Sequence, residues 1–349
     1  AQALDLKSIA DEIRLLGHTA YVTLADDAVA AIDLTNGQTV RMHQLDETVD
    51  PPANGPEDLT IGPAQKFAVV SFQKDGGGGS KRGNRLMVFS LPEFSLTADL
   101  LLPRNHPNLH IEGNAKQQGP GPEVLHISPE SNTLAVTLDL YGAVGIMSWN
   151  QAKQGRLSQD DWTLISTSLN KKIQGTSFPD RATPLVIDGR QYFLVCNAGK
   201  LGGSVLIDLA ERKTVWQRPT PPGLEAPVFV PSLGRAYSVC SGKTKIRKGD
   251  DVVKELHRQQ SLFVFDFRTA EAMRSAAVKE IPLGGYTSQI VLADGNPPRL
   301  LIALGHDAKR SDTFITFDPS TETIIDRLRI NGIVERFGNP TVTQRTSES

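Results

Sequence analysis

Apolar and polar residues along the chain alternate in short runs separated by turn signals, and the runs come in pairs. Residues 28–33, 86–90, 144–149, 204–208, 262–266 and 314–318 are apolar stretches ending near an Asp, Ser or Trp, and their ends fall about 52 to 60 residues apart. Each is preceded by a second β-rich run, at 20–24, 67–71, 134–138, 192–196, 236–240 and 300–304. Short, continuous, β-rich apolar runs bounded by turn signals predict strands. Turns such as Thr35-Asn36-Gly37 and Pro319-Ser320-Thr321 then lead into further strands at 39–42 and 324–328. One lead-in is written twice: Gly55-Pro56-Glu57 runs on to Ile61-Gly62-Pro63, and Gly121-Pro122-Glu123 runs on to Ile127-Ser128-Pro129. A turn, a strand, a polar turn and a second strand thus make one repeating unit.

Repetition at this length predicts an all-β fold, a β-propeller of four-stranded blades, with six blades expected and seven as the alternative. The blades are placed at 4–45, 55–102, 122–168, 183–218, 225–283 and 285–330, leaving 331–349 as a closing segment. An open ring would expose two sheet edges, so closure is expected, with 340–343 pairing near the seam. Residues 4–16 are expected to supply the first inner strand. The competing reading there is a short helix, because Ile9, Ile13 and Leu16 also fall at helical spacing.

Tyr21-Val22-Thr23 followed by Ala30-Ala31-Ile32-Asp33-Leu34-Thr35-Asn36-Gly37 resembles the YVTN-type propeller repeat, and the two Gly-Pro-Glu lead-ins are similar to that repeat's opening. This implies architecture and leaves function open, since such repeats serve surface proteins, binding proteins and enzyme subunits alike. The 349 residues suit a fold that grows by adding modules. A formal net charge of -2 gives no global field toward nucleic acid, so a charged partner has to be met by a local patch. No apolar run reaches the roughly 18 residues of a membrane-spanning helix. The Ala1-Gln2-Ala3 start, without Met, reads as an end left by signal-peptide removal, and a periplasmic or secreted location is expected.

In a blade whose inner strand starts at one face of the ring, the segments leading into it and those joining the second and third strands lie on that face. The first set carries Glu57, Asp58, Glu123 and Glu225, with His126 three residues after Glu123. The second set, residues 73–85, 241–260 and 305–312, is long and basic, the usual place for binding. Lys81, Arg82, Arg85, Lys245, Arg247, Lys248, His257, His306 and Arg310 are its candidate ligand-binding residues. Such a rim suits an anionic small ligand or an acidic protein.

The carboxylates, with His126, are the candidate metal set, and calcium is the cation that several converging oxygens would take. Gly55-Pro56-Glu57-Asp58-Leu59 is similar to a blade opening in paraoxonase and gluconolactonase-like propellers, which implies a calcium-dependent hydrolase as the enzyme alternative. The corresponding openings at 181–184 and 285–288 lack the acids of those families. The last third, with its basic segment, Pro297-Pro298-Arg299 and Phe317-Asp318-Pro319-Ser320-Thr321, resembles the propeller subunit of methylamine dehydrogenases, which implies docking of a second chain.

No zinc-protease, nucleophile-elbow, phosphate-loop or dinucleotide signature is present, and no catalytic residue or cofactor is assigned. Gly76-Gly77-Gly78-Gly79-Ser80 reads as a loop tip. Cys196 and Cys240 end matching strands in consecutive units, too far apart for an easy bridge, so two free buried thiols are expected.

Overall fold

The computed structural model describes residues 10–24, 28–44, 53–75, 82–102, 119–155, 161–169, 179, 181–199, 203–221, 223–240, 244–248, 251–256, 261–275, 278–293, 295–307 and 310–334. Their strands form six antiparallel sheets of four strands.

The first sheet is β1 (Ala10–Leu16), β2 (Thr19–Leu24), β3 (Ala28–Asp33) and β4 (Gln38–Gln44). The second is β5 (Ala53–Ile61), β6 (Phe67–Asp75), β7 (Arg82–Ser90) and β8 (Ser95–Leu101). The third is β9 (Pro122–Ser128), β10 (Thr133–Leu138), β11 (Ala143–Ser148) and β12 (Thr163–Ser166). The fourth is β13 (Arg181–Ile187), β14 (Arg190–Cys196), β15 (Ser204–Asp208) and β16 (Lys213–Arg218).

In the fifth, β17 (Leu224–Val230) and β18 (Arg235–Cys240) are followed by a separate hairpin, β19 (Thr244–Lys248) and β20 (Asp251–Leu256), before β21 (Ser261–Asp266) and β22 (Val278–Pro282) complete the sheet. The sixth is β23 (Tyr286–Ala293), β24 (Arg299–Asp307), β25 (Arg310–Asp318) and β26 (Thr323–Val334).

Every sheet is a contiguous up-and-down meander, and its first strand lies beside the first strand of the next sheet, from β1 through β23. That arrangement matches a propeller of six blades. Residues 10–16 are strand, not helix, because β1 pairs with β2 from Ile13 opposite Val22 to Leu16 opposite Thr19. The third run ends one residue earlier than its pattern suggests, since Trp149 opens a helical turn, α1 (Trp149–Ala152). Residues 340–343 lie outside the described residues.

Alternation along each strand sends side chains to both neighbouring blades, and the core is correspondingly a series of apolar layers. Tyr21, Val29 and Ala31 meet Leu59, Val70, Phe72 and Phe89 between blades 1 and 2. Blades 3 and 4 share Ala135, Val144, Ile146, Phe193, Val195 and Ile207. Between blades 5 and 6 lie Tyr237, Val239, Leu262, Ile302, Ile315 and Phe317. Blade 1 also buries its far face, Ala20, Val22, Ala28, Ala30 and Ile32, which is the face that a closed ring covers. Each large apolar side chain so buried contributes about 1.5–3 kcal/mol, so these layers outweigh any single polar tie in holding the ring.

The Asp at the end of a third strand, the most regular marker in the sequence, proves to close the turn to the fourth. Asp33 accepts the Thr35 N–H at 2.8 Å and its hydroxyl at 2.7 Å. Asp318 does the same with Ser320 at 2.8 and 2.5 Å. These hydrogen bonds hold both carboxyls below the usual carboxylate range.

Candidate functional site

The inner strands do not pair evenly with their neighbours. Glu57 and Asp58 together oppose Ser71, since Pro56 pairs with Phe72 and Leu59 with Val70. Glu123 and Val124 likewise oppose Thr137, and Ala226 and Pro227 oppose Ser238. In blade 1, Asp11 and Glu12 oppose Thr23.

A bulge of this kind leaves a backbone N–H without a ladder partner. The fully buried hydroxyls of the second strand supply one: Asp58 N–H donates to Ser71 Oγ at 3.1 Å, and Val124 N–H to Thr137 Oγ1 at 3.0 Å. The Gly-Pro-Glu lead-ins therefore encode bulges. Gly55 and Gly121 take φ of 61° and 65°, a left-handed conformation that strongly favours glycine.

Asp58 stands at the centre of the resulting network. Arg14 of β1 donates from Nη2 to Asp58 Oδ1 at 3.0 Å, and the Leu125 N–H of β9 donates to Oδ2 at 2.8 Å. Ser71 Oγ in turn donates to the Glu123 carbonyl at 2.7 Å. One buried carboxylate thus stitches the inner strands of blades 1, 2 and 3.

The structure puts the candidate metal residues in a different setting from the one that the sequence suggests. Glu57, Asp58, Glu123 and Glu225 lie within β5, β9 and β17 rather than in segments leading into them. Both Asp58 oxygens are already taken, one of them by a guanidinium that a cation would have to displace, so this carboxylate does not fit a calcium site. Among the described residues no group of three His, Cys, Asp or Glu is placed to hold a metal.

His126 sits in the joint between blades 3 and 4. Its ring stacks on Phe193 at 5.9 Å, Gln191 lies beside it, and burial pushes its pKa down to about 4.

Strand register sorts the basic segments. Ala53 pairs with Asp75 and Lys74 with Arg82; Leu224 pairs with Cys240 and Cys240 with Ser261; Tyr286 pairs with Gly305 and Gly305 with Ser311. Hence the connections within 73–85, 241–260 and 305–312 all lie at the end where inner strands begin, here the upper face; two of them are shorter than the sequence suggests, because 73–75 and 82–85 belong to β6 and β7, and 305–307 and 310–312 to β24 and β25. Arg82 opens β7, His306 is near the end of β24, Arg310 opens β25, and Lys245, Arg247 and Lys248 are in β19.

Arg85 is different: it is buried and ion-paired through Nη1 to Asp99 Oδ2 at 3.2 Å, inside blade 2 rather than on a rim. Lys81 and His257 lie outside the described residues, as does the Gly76–Ser80 run. The β19–β20 hairpin was not anticipated. Its signal was the Gly249-Asp250 pair between two β-rich runs, a common hairpin turn residue set.

Cys196 and Cys240 are buried free thiols in the layer between blades 4 and 5. Ser204 Oγ donates to Cys196 Sγ at 3.6 Å, and burial pushes the Cys196 thiol up to about 11. Neither is expected to react with a disulfide reagent at pH 8 in the folded protein, and both are expected to react once denaturant is added. Rapid labelling of the native chain would contradict this packing.

No protein-family model matches the chain, so the YVTN-type resemblance has no support of that kind, and no curated protein matches it. Solved structures do. The hydrazine synthase of Kuenenia stuttgartiensis superposes with a TM-score of 0.61 at 13% identity, over 92% of this chain and 86% of that one. A functionally unknown protein from Desulfotomaculum acetoxidans gives 0.59 at 12% identity, over 96% and 90%. The quinohemoprotein alcohol dehydrogenase ADHIIG from Pseudomonas putida gives 0.57 at 14% identity, over 92% of this chain but 59% of that one. The hydrazine synthase and the alcohol dehydrogenase are β-propeller proteins, and with the six sheets they define the class: this chain has the β-propeller fold. Identities this low bear on fold alone.

Proposed function

We propose that the chain is an exported binding or scaffold propeller whose upper face docks an acidic protein. The observation that carries this reading is the β19–β20 hairpin, an insertion in blade 5 that places Lys245, Arg247 and Lys248 within the five residues of one strand, on the face shared with Arg82, His306 and Arg310. A local cluster of this kind gives an otherwise near-neutral chain an attractive field for an acidic partner. The calcium-dependent hydrolase reading is not favoured, because Asp58 serves Arg14 and the Leu125 amide.

The test is capture from a periplasmic or secreted protein fraction by the wild-type chain and by the triple variant Lys245→Glu, Arg247→Glu, Lys248→Glu. The reversal is expected to abolish capture of the wild-type partner and to leave the thermal midpoint within a few degrees, since β19 belongs to no blade's four-stranded sheet. Unchanged capture by the reversed chain would move the site off this face. Stoichiometric calcium in the purified protein would revive the hydrolase.

A further inference from the structure

Two strands alone make a marginal sheet in water, and three or more with a supporting face are needed for independent stability. The β19–β20 hairpin is such a pair: among the described residues no other strand joins it, whereas every blade is a sheet of four. Its edges therefore present backbone N–H and C=O groups that an incoming strand can pair with.

The two edges differ in charge. β19 reads Thr244-Lys245-Ile246-Arg247-Lys248, all its charges positive, while β20 mixes Asp251 and Glu255 with Lys254. The hairpin's own register shows what suits β19. Lys245 stands opposite Glu255 and Lys248 opposite Asp251, each a base facing an acid across an antiparallel ladder.

Resting on the reading of the upper face given above, we propose that the partner is held by β-strand addition: an extended acidic segment pairs antiparallel along the edge of β19 away from β20, which no other strand among the described residues joins. Its acids, alternating along the strand, would fall level with Lys245 and Arg247, which are two residues apart and so share one face of β19, from the side away from β20. Backbone pairing would supply the affinity and the cations the choice of an acidic strand.

The probe is an alternating Glu-Val peptide of about eight residues, a typical strand length, and the same peptide with a backbone N-methyl group on every residue. Binding is read by fluorescence anisotropy with the wild-type protein and by hydrogen exchange at β19. The plain peptide is expected to bind and to slow exchange of β19 amides. The methylated one is expected to bind at least about tenfold more weakly, because neither edge of it retains an N–H donor for the ladder.

Equal binding of both peptides, absent binding of both, or protection that spares β19 would each overturn strand addition. If the two bind equally and the triple charge reversal removes both, strand addition falls while the basic docking face stands. If neither binds and the reversal also leaves partner capture unchanged, both readings fall.

Discussion

Asp58→Ala is expected to destabilise the propeller by about 3–5 kcal/mol, the range for removing one partner of a buried ion pair. The Asp58 side chain is 10% exposed and accepts from Arg14 and from the Leu125 N–H, so its loss takes the counter-charge from a mostly buried guanidinium and the acceptor from a buried amide. Because Arg14, Asp58 and Leu125 belong to blades 1, 2 and 3, the damage falls on the joints of the ring. Urea titration followed by tryptophan fluorescence measures it as a lowered midpoint. Asp58→Asn retains an oxygen acceptor and is expected to cost less. A change below about 0.5 kcal/mol for the alanine variant would show that the inner strands are not held by this carboxylate.

Acid is expected to weaken the joint between blades 3 and 4 through His126. An unfolded histidine binds its proton near pH 6.5, whereas this one, half-buried and stacked on Phe193, binds only near about 4. The folded state therefore carries fewer protons than the unfolded state between those values. Stability is full above about pH 6.5 and declines as the pH falls toward 4, by about 1.4 kcal/mol per pH unit and roughly 3 kcal/mol over the window. His126→Leu removes the titrating group, so the difference between wild type and variant should shrink steadily from pH 7 to pH 4. A difference that stays constant with pH would mean that the imidazole is solvated in the native protein. The carboxyls of Asp33 and Asp318, held low by their turn hydroxyls, titrate at more acidic pH and do not confuse the window.

The strand order puts Lys245, Arg247, Lys248, His306 and Arg310 at one end of their blades, as the sequence suggested, but His306 and Arg310 lie within β24 and β25, not in a long connection. That residues 244–256 form a ribbon of their own was signalled only by a Gly-Asp pair. The misplacements have a common cause. Arg85, read as a rim cation, is buried on Asp99, and Asp58, read as a metal ligand, is spent on Arg14. In both, the partner lies elsewhere in the chain, 14 residues away for Arg85 and 44 for Asp58, and no local pattern announces it. His126 met the same fate, its neighbour Phe193 belonging to the next blade.

The short β-rich runs and the Asp-closed turns are local properties, fixed within a few residues by backbone preference and turn hydrogen bonds, and they recur at the length of a blade. They were enough, by themselves, to give the second and third strands of each blade and the blade as the unit, but not the β19–β20 hairpin. Which charges stay in water and which are buried was decided only when the blades came together. That outcome depends on contacts between sheets, where burial raises the cost of an unpaired charge and so dictates its partner.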